Sequence, residues 1–107
     1  MSSRTVPKEE PIKLANLDLQ ESLIKLSDEN SYIKTSITLS YDESEENIDS
    51  RVPLIRDTII QYFMSKSSND FNGETLEKLK EELIKKINTN IGTDIVKQIY
   101  FTNLVVQ

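Results

Sequence analysis

From Leu76 to Ile91 the apolar residues Leu76, Leu79, Leu83, Ile84, Ile87 and Ile91 return every three or four positions, and Gly92 follows the last of them. That spacing lays one apolar stripe along about four turns of helix. A glycine just past the stripe readily takes the left-handed conformation that stops a helix. Three residues later the character changes. Ile95 to Val106 is rich in Ile, Val, Tyr and Phe, the residues that suit a pleated, extended backbone. Strict alternation there puts Ile95, Ile99, Phe101 and Val105 on one face and Val96, Tyr100, Leu104 and Val106 on the other. A strand apolar on both faces is either covered twice or meets a second chain on one side. Each helix offers one stripe only, so a partner chain is the expectation.

The remaining chain supplies what this helix and strand pack against. Ile12, Leu14, Leu17 and Leu19 form an extended segment whose alternation slips at Ala15-Asn16, which predicts a bulge or bend there. Leu23, Ile24 and Leu26 continue it as a second short piece. The turn residues Ser27 to Ser31 then lead into Tyr32 to Tyr41, with Ile33, Ile37, Leu39 and Tyr41 on one face and Thr35 among them. The two segments read as a hairpin. An acidic run, Asp42 to Glu46, suits the start of a helix. Ile48, Val52, Ile55, Ile59 and Tyr62, widened by Ile60 and Phe63, give that helix its stripe. Pro53 breaks the pattern, so a short leading turn and a firm helix from Pro53 to about Ser65 are predicted. Ser65 to Gly73 is a polar loop pinned by Phe71, with Asn72 or Thr75 as the next cap. Glu81 with Lys85 and Glu82 with Lys86 have the spacing of ion pairs on the exposed face of the second helix. The expected fold is therefore α+β: a small three-stranded sheet with two packed helices, in the order β-β-α-α-β.

Residues 1–11 are polar and bracketed by Pro7 and Pro11, and read as a flexible linker or expression remnant; residues 12–107 form one domain. With 107 residues, two glycines and three prolines, the chain is built from few, long elements. It contains no cysteine and no histidine. Disulfides, thiolate chemistry, Ser-His-Asp catalysis and imidazole-bound metals are thereby excluded. A carboxylate-pair hydrolase or an all-oxygen metal site remains formally open. The cluster Asp42, Glu43, Glu45 and Glu46 lacks the ligand spacing and central glycine of a calcium loop. Two glycines cannot form a phosphate-binding loop. The net charge of -5, with no basic stripe, argues against nucleic acid. No run approaches the roughly 18 apolar residues of a membrane span. No cofactor and no catalysis are expected, and a binding or assembly role is favoured.

Two segments resemble one known family. Pro53-Leu54-Ile55-Arg56-Asp57-Thr58-Ile59-Ile60, followed by Ser65-Lys66, is similar to a run in FliL, the flagellar basal-body-associated protein. The end, Ile99-Tyr100-Phe101-Thr102-Asn103-Leu104-Val105-Val106-Gln107, resembles that family's closing segment, with Asn103 and Leu104 in place of its usual acidic and aromatic pair. Gly73, Leu76, Leu79-Lys80-Glu81-Glu82 and Ile87-Asn88 match its helix. Tyr32-Ile33-Lys34, Ile37-Thr38-Leu39 and Asn16-Leu17 match its strands. The resemblance runs from about Ile12 to Gln107.

It implies a stomatin-like (SPFH) sheet-and-helix fold in the extracytoplasmic domain of a single-pass inner-membrane protein. The domain would lie in the periplasm at the flagellar basal body, its anchor preceding this chain and residues 1–11 forming a juxtamembrane linker. The implied partners are further copies in a ring, the stator proteins MotA and MotB, and other basal-body components. The implied role is stator recruitment, activation or stability, and hence motility and swarming. Arg56, Asp57, Tyr100, Thr102 and Leu104 are the candidate ring or stator contacts. A cytoplasmic adaptor of similar fold is the alternative, with a carboxylate-dependent hydrolase a remote third.

Overall fold

The longest unbroken alternation in the N-terminal half, Tyr32–Asp42, forms the central strand, and every other strand pairs with it. A computed structural model describes residues 12–107, so the segment read as a linker lies outside the described residues. The elements are β1 (Leu14–Asp18), β2 (Ser22–Lys25), β3 (Tyr32–Asp42), α1 (Ile48–Met64), a 3-10 turn (Ser68–Phe71), α2 (Gly73–Ile91) and β4 (Val96–Val106). All pairings are antiparallel, with β1 and β2 on successive halves of one edge of β3 and β4 along the other. The α+β class holds, but the sheet has four strands.

The extra strand arises because the first extended segment divides. Its break lies at Leu19–Glu21 and not at Ala15-Asn16, where β1 runs straight through. Asp18 pairs with Thr38 and Ser22 with Thr35, so four steps of one chain face three of the other. One surplus residue ends β1 and restarts the ladder as β2.

Strand β4 corrects the two-faced reading. Phe101 pairs with Ile37 while Asn103 pairs with Ser36, and Val96 pairs with Tyr41 while Gln98 pairs with Ser40. Thr102 and Lys97 therefore have no counterpart on β3, and each is a bulge that reverses the phase of alternation. Val96, Ile99, Phe101 and Leu104 all fall opposite the inward residues Tyr41, Leu39, Ile37 and Thr35. The strand is apolar mainly toward the helices, and the surplus face inferred from strict alternation does not exist. Tyr100 and Val105 stay outside and exposed.

Both helices lie on that inward face, α1 reaching β2 and α2 reaching β4. Ile55, Phe63, Leu83 and Ile87 are fully buried between helices and sheet, with Ile33 and Leu39 beneath them. The Phe63 ring meets Phe71 edge-on at 5.1 Å and Phe101 at 6.1 Å, so one aromatic cluster joins α1, the 3-10 turn and β4. Burying each of these side chains contributes at most about 1.5–3 kcal/mol.

Helix α1 begins at Ile48 and continues through Pro53. The predicted restart at Pro53 does not occur. Pro53 lies beyond the first turn, so it removes one ladder bond, the one Asp49's carbonyl would have accepted, without ending the helix. The acidic run precedes the helix as a turn, where Asp42 accepts from the Ser44 N–H at 3.0 Å and Glu45 from the Asn47 N–H at 3.0 Å. Helix α2 starts and ends as its sequence indicates. The Asn72 side chain accepts from the Glu74 and Thr75 N–H groups, and Gly92 closes the helix at φ 76.

Candidate functional site

The chain has neither cysteine nor histidine, and many of its polar residues are taken up by the fold itself. Arg56 lies on the α1 face that meets the sheet edge. Its guanidinium donates to the Gln20 carbonyl at 3.3 Å and to the Ser22 hydroxyl at 3.4 Å, bridging the gap between β1 and β2. Asp57, the next residue, points away and accepts from the Gln61 side-chain amide at 2.9 Å. Tyr100 stands on the open face of the sheet. Thr102 is a bulge residue whose hydroxyl donates to the Ser36 carbonyl at 3.2 Å. Leu104 is half-buried on the helix side and packs against the core. The five candidate contact residues thus occupy different surfaces, and no single patch gathers them.

Sequence reasoning missed several residues that tie the elements together. Arg51 reaches from α1 and donates to the Ile91 carbonyl at 2.8 Å, where the last turn of α2 leaves its carbonyls unpaired. Its Nε is buried without a hydrogen-bond partner among the described residues, 3.8 Å from Glu45. Asn88 pairs its side-chain amide with both main-chain groups of Val96, each at 3.0 Å, so α2 fixes the first residue of β4. Thr58, buried in α1, donates to the Leu54 carbonyl and accepts from the Asn90 amide, both at 2.8 Å. Asn88 lies inside a matched family segment, and that was its one signal in the sequence. Thr58 also lies inside a matched segment, whereas Arg51 carries no local signal, since its carbonyl partner Ile91 lies far along the chain.

Asp28 anchors the β2–β3 turn to the segment between the helices. It accepts from the Ser68 N–H at 3.1 Å, the Ser68 hydroxyl at 2.7 Å and the Ser31 hydroxyl at 3.0 Å. The Ser68 hydroxyl bond is the main cause that holds its carboxyl below the usual aspartate range. Asp42 is lowered in the same sense, first by the Ser44 N–H. The ion pairs foreseen on α2 do not form as expected. Glu82 instead accepts the Tyr62 hydroxyl at 2.5 Å and lies 3.5 Å from Lys66. The Tyr62 bond is the main cause lowering the Glu82 carboxyl, and burial pushes the Tyr62 phenol well above its ordinary range. Lys66 and Lys86 sit 4.9 and 5.9 Å from the centre of the Tyr62 ring.

What remains unused is the sheet face opposite the helices. No element covers it among the described residues. Its polar side chains pair across strands: Thr38 with Asp18 at 2.6 Å, Ser40 with Asn16 at 2.9 Å and Asn103 with Glu21 at 3.1 Å. Leu14, Leu23, Tyr32, Tyr100 and Val105 stand exposed among them, Leu23 at 62% and Tyr100 at 45%. The surface is amphipathic, its polar side chains already paired with one another, which suits contact with another macromolecule better than capture of a small ligand. No helix of the described residues is long and apolar enough to cross a membrane.

Comparison with known proteins supplies the context. A model of the flagellar basal body-associated protein FliL matches residues 17–107. A flagellar protein FliL from Aquifex aeolicus (strain VF5) is 36% identical over 90 residues, covering 79% of this chain and 56% of its own length. The chain thus spans little more than half of that relative. Together, a match from β1 to the end of the chain and this level of identity show that the chain belongs to the FliL family of flagellar basal-body-associated proteins.

Proposed function

We propose that this chain is the periplasmic part of a non-catalytic accessory protein of the flagellar motor. In this reading it assembles into a ring of identical subunits around the stator proteins MotA and MotB, and supports their recruitment, activation or stability. A membrane anchor preceding these residues would hold it to the inner membrane, and its sheet-and-helix layer would be stomatin-like. Contacts with other basal-body components complete the proposal. The observation that carries it is the family match over residues 17–107. The uncovered sheet face, with Tyr100 and Leu23 exposed on it, supports an assembly role in physical terms. Confinement to a membrane raises effective concentration, so a weak face-to-face contact would suffice there.

The test uses anchor-bearing protein in membranes with MotA and MotB. Co-purification of the stator, together with a concentration-dependent oligomer, is expected. A strict monomer that retains no stator protein would overturn both the ring and the partner. Charge reversal at Arg56 separates two roles for that residue. A folded but non-assembling variant would make it a contact, and unchanged assembly would leave it only its observed bridge between β1 and β2.

A further inference from the structure

Of the eight asparagines in the chain, Asn72 alone is followed by glycine. We propose that Asn72–Gly73 is a site of spontaneous covalent modification, where the side-chain amide is lost and the chain passes through a cyclic imide to aspartate and isoaspartate. The chemistry needs only water and hydroxide. Hydroxide removes the Gly73 amide proton, and the nitrogen attacks the Asn72 Cγ. The C–Nδ2 bond breaks, and the nitrogen leaves as ammonia after taking up a proton from water. Water then opens the five-membered imide. Cleavage between Cγ and the Gly73 nitrogen gives aspartate, and cleavage at the main-chain carbonyl gives isoaspartate.

Several features favour this bond over the others. Gly73 has no side chain to hinder its nitrogen, and apart from its chain neighbours and its own helix nothing among the described residues lies within 4 Å of where a Cβ would stand. Its N–H is the first of α2 and finds no acceptor among the described residues. The Asn72 Oδ1 already accepts from two backbone N–H groups, Glu74 at 3.1 Å and Thr75 at 3.2 Å. Those donors face the atom on which negative charge develops during attack. The leaving Nδ2 donates to nothing among the described residues, and Asn72 is exposed. The attack requires the main chain to turn from ψ 173 at Asn72, which a glycine neighbour permits more readily than any other residue.

The other asparagines are held differently. Asn88 spends both amide atoms on Val96, and Asn90 donates to Thr58. The nitrogen after Asn30 is engaged, since Ser31 N–H donates to the Asp28 carbonyl at 3.3 Å. Asn16, Asn47, Asn69 and Asn103 precede the bulkier Leu17, Ile48, Asp70 and Leu104.

The two products act oppositely on α2. Aspartate keeps the cap and adds negative charge at the positive end of the helix. Isoaspartate inserts the side-chain methylene into the main chain and removes the carboxylate from capping distance.

The folded chain, held in mildly alkaline buffer at physiological temperature, is digested at intervals and mapped by mass spectrometry. Isoaspartate is read separately with an isoaspartyl methyltransferase. The exchange of NH for O is expected first in the peptide bearing Asn72, with isoaspartate present. Gly73→Ala is expected to slow it by about tenfold, its folding checked by circular dichroism. Asn72→Asp provides the folded aspartate standard. Earlier conversion at any other asparagine would overturn the proposal. So would an unconverted Asn72 once a disordered reference peptide with the same flanking residues has reacted completely.

Discussion

The two faces of the sheet are built from the same four strands and obey opposite rules. On the helix side, Ile33, Ile37, Leu39, Val96 and Ile99 are buried against two helices, and long-range hydrogen bonds close the seams. On the other side polar pairs alternate with exposed Leu23, Tyr100 and Val105, and nothing among the described residues covers them. The contrast separates stability from contact. Damage to the first face should unfold the domain, whereas damage to the second should leave it folded and change only what it binds.

The strongest way to break the contrast is through the core. Leu83→Ala or Phe63→Ala is expected to cost about 3–5 kcal/mol, measured by urea unfolding. A loss below 1 kcal/mol would mean that α2 or the aromatic cluster is not seated as described. Next comes the seam. Asn88→Ala strands the buried N–H and C=O of Val96 and should cost about 1–3 kcal/mol, with accelerated hydrogen exchange at the start of β4. Acid sharpens the comparison further. Because the Asp28 carboxyl is lower in the folded chain than in the unfolded one, its contribution is present above about pH 4 and is lost as pH falls through the folded value. Asp28→Asn should therefore flatten part of the acid limb of a melting-temperature profile, and an unchanged limb would contradict the assigned network. The smallest effect belongs to the open face. Tyr100→Ser or Leu23→Ser should shift stability by no more than about 0.5 kcal/mol, while reducing association of the anchor-bearing protein if this face makes the contact.

Local periodicity carried much of the fold. The span of α2, its Asn72 cap, its Gly92 stop, the anchor Phe71 and the alternation of β3 were all legible, because each depends on neighbours within a few residues. The phase of β4 was not. Bulges at Lys97 and Thr102 arise from pairing with β3, and nothing local to those residues announces them. The split of the first strand is of the same kind, being a register mismatch with Thr35–Thr38. Helix α1 passes Pro53 because tertiary burial of Ile48 and Ile55 on either side outweighs one lost hydrogen bond. For the candidate contacts, chain order suggested one set, and the fold scattered it over the helix flank, a bulge and both sheet faces. The family segments were legible as a pattern. Among their polar residues, Arg56, Thr58 and Asn88 prove to join elements within the domain.

The bulges of β4 also bear on how copies of this domain meet at high local density. An eleven-residue strand with no neighbour on its outer side among the described residues would ordinarily invite edge-to-edge zipping and fibre growth. With Lys97 and Thr102 out of step, the evenly spaced stretches left for an incoming strand are Gln98 to Phe101 and Asn103 to Val106, four residues each and broken by a bulge. Ladders so short give little purchase to an adventitious strand. Crowded copies can then collide often without fusing into aggregates, which leaves association to whichever broader surfaces fit one another.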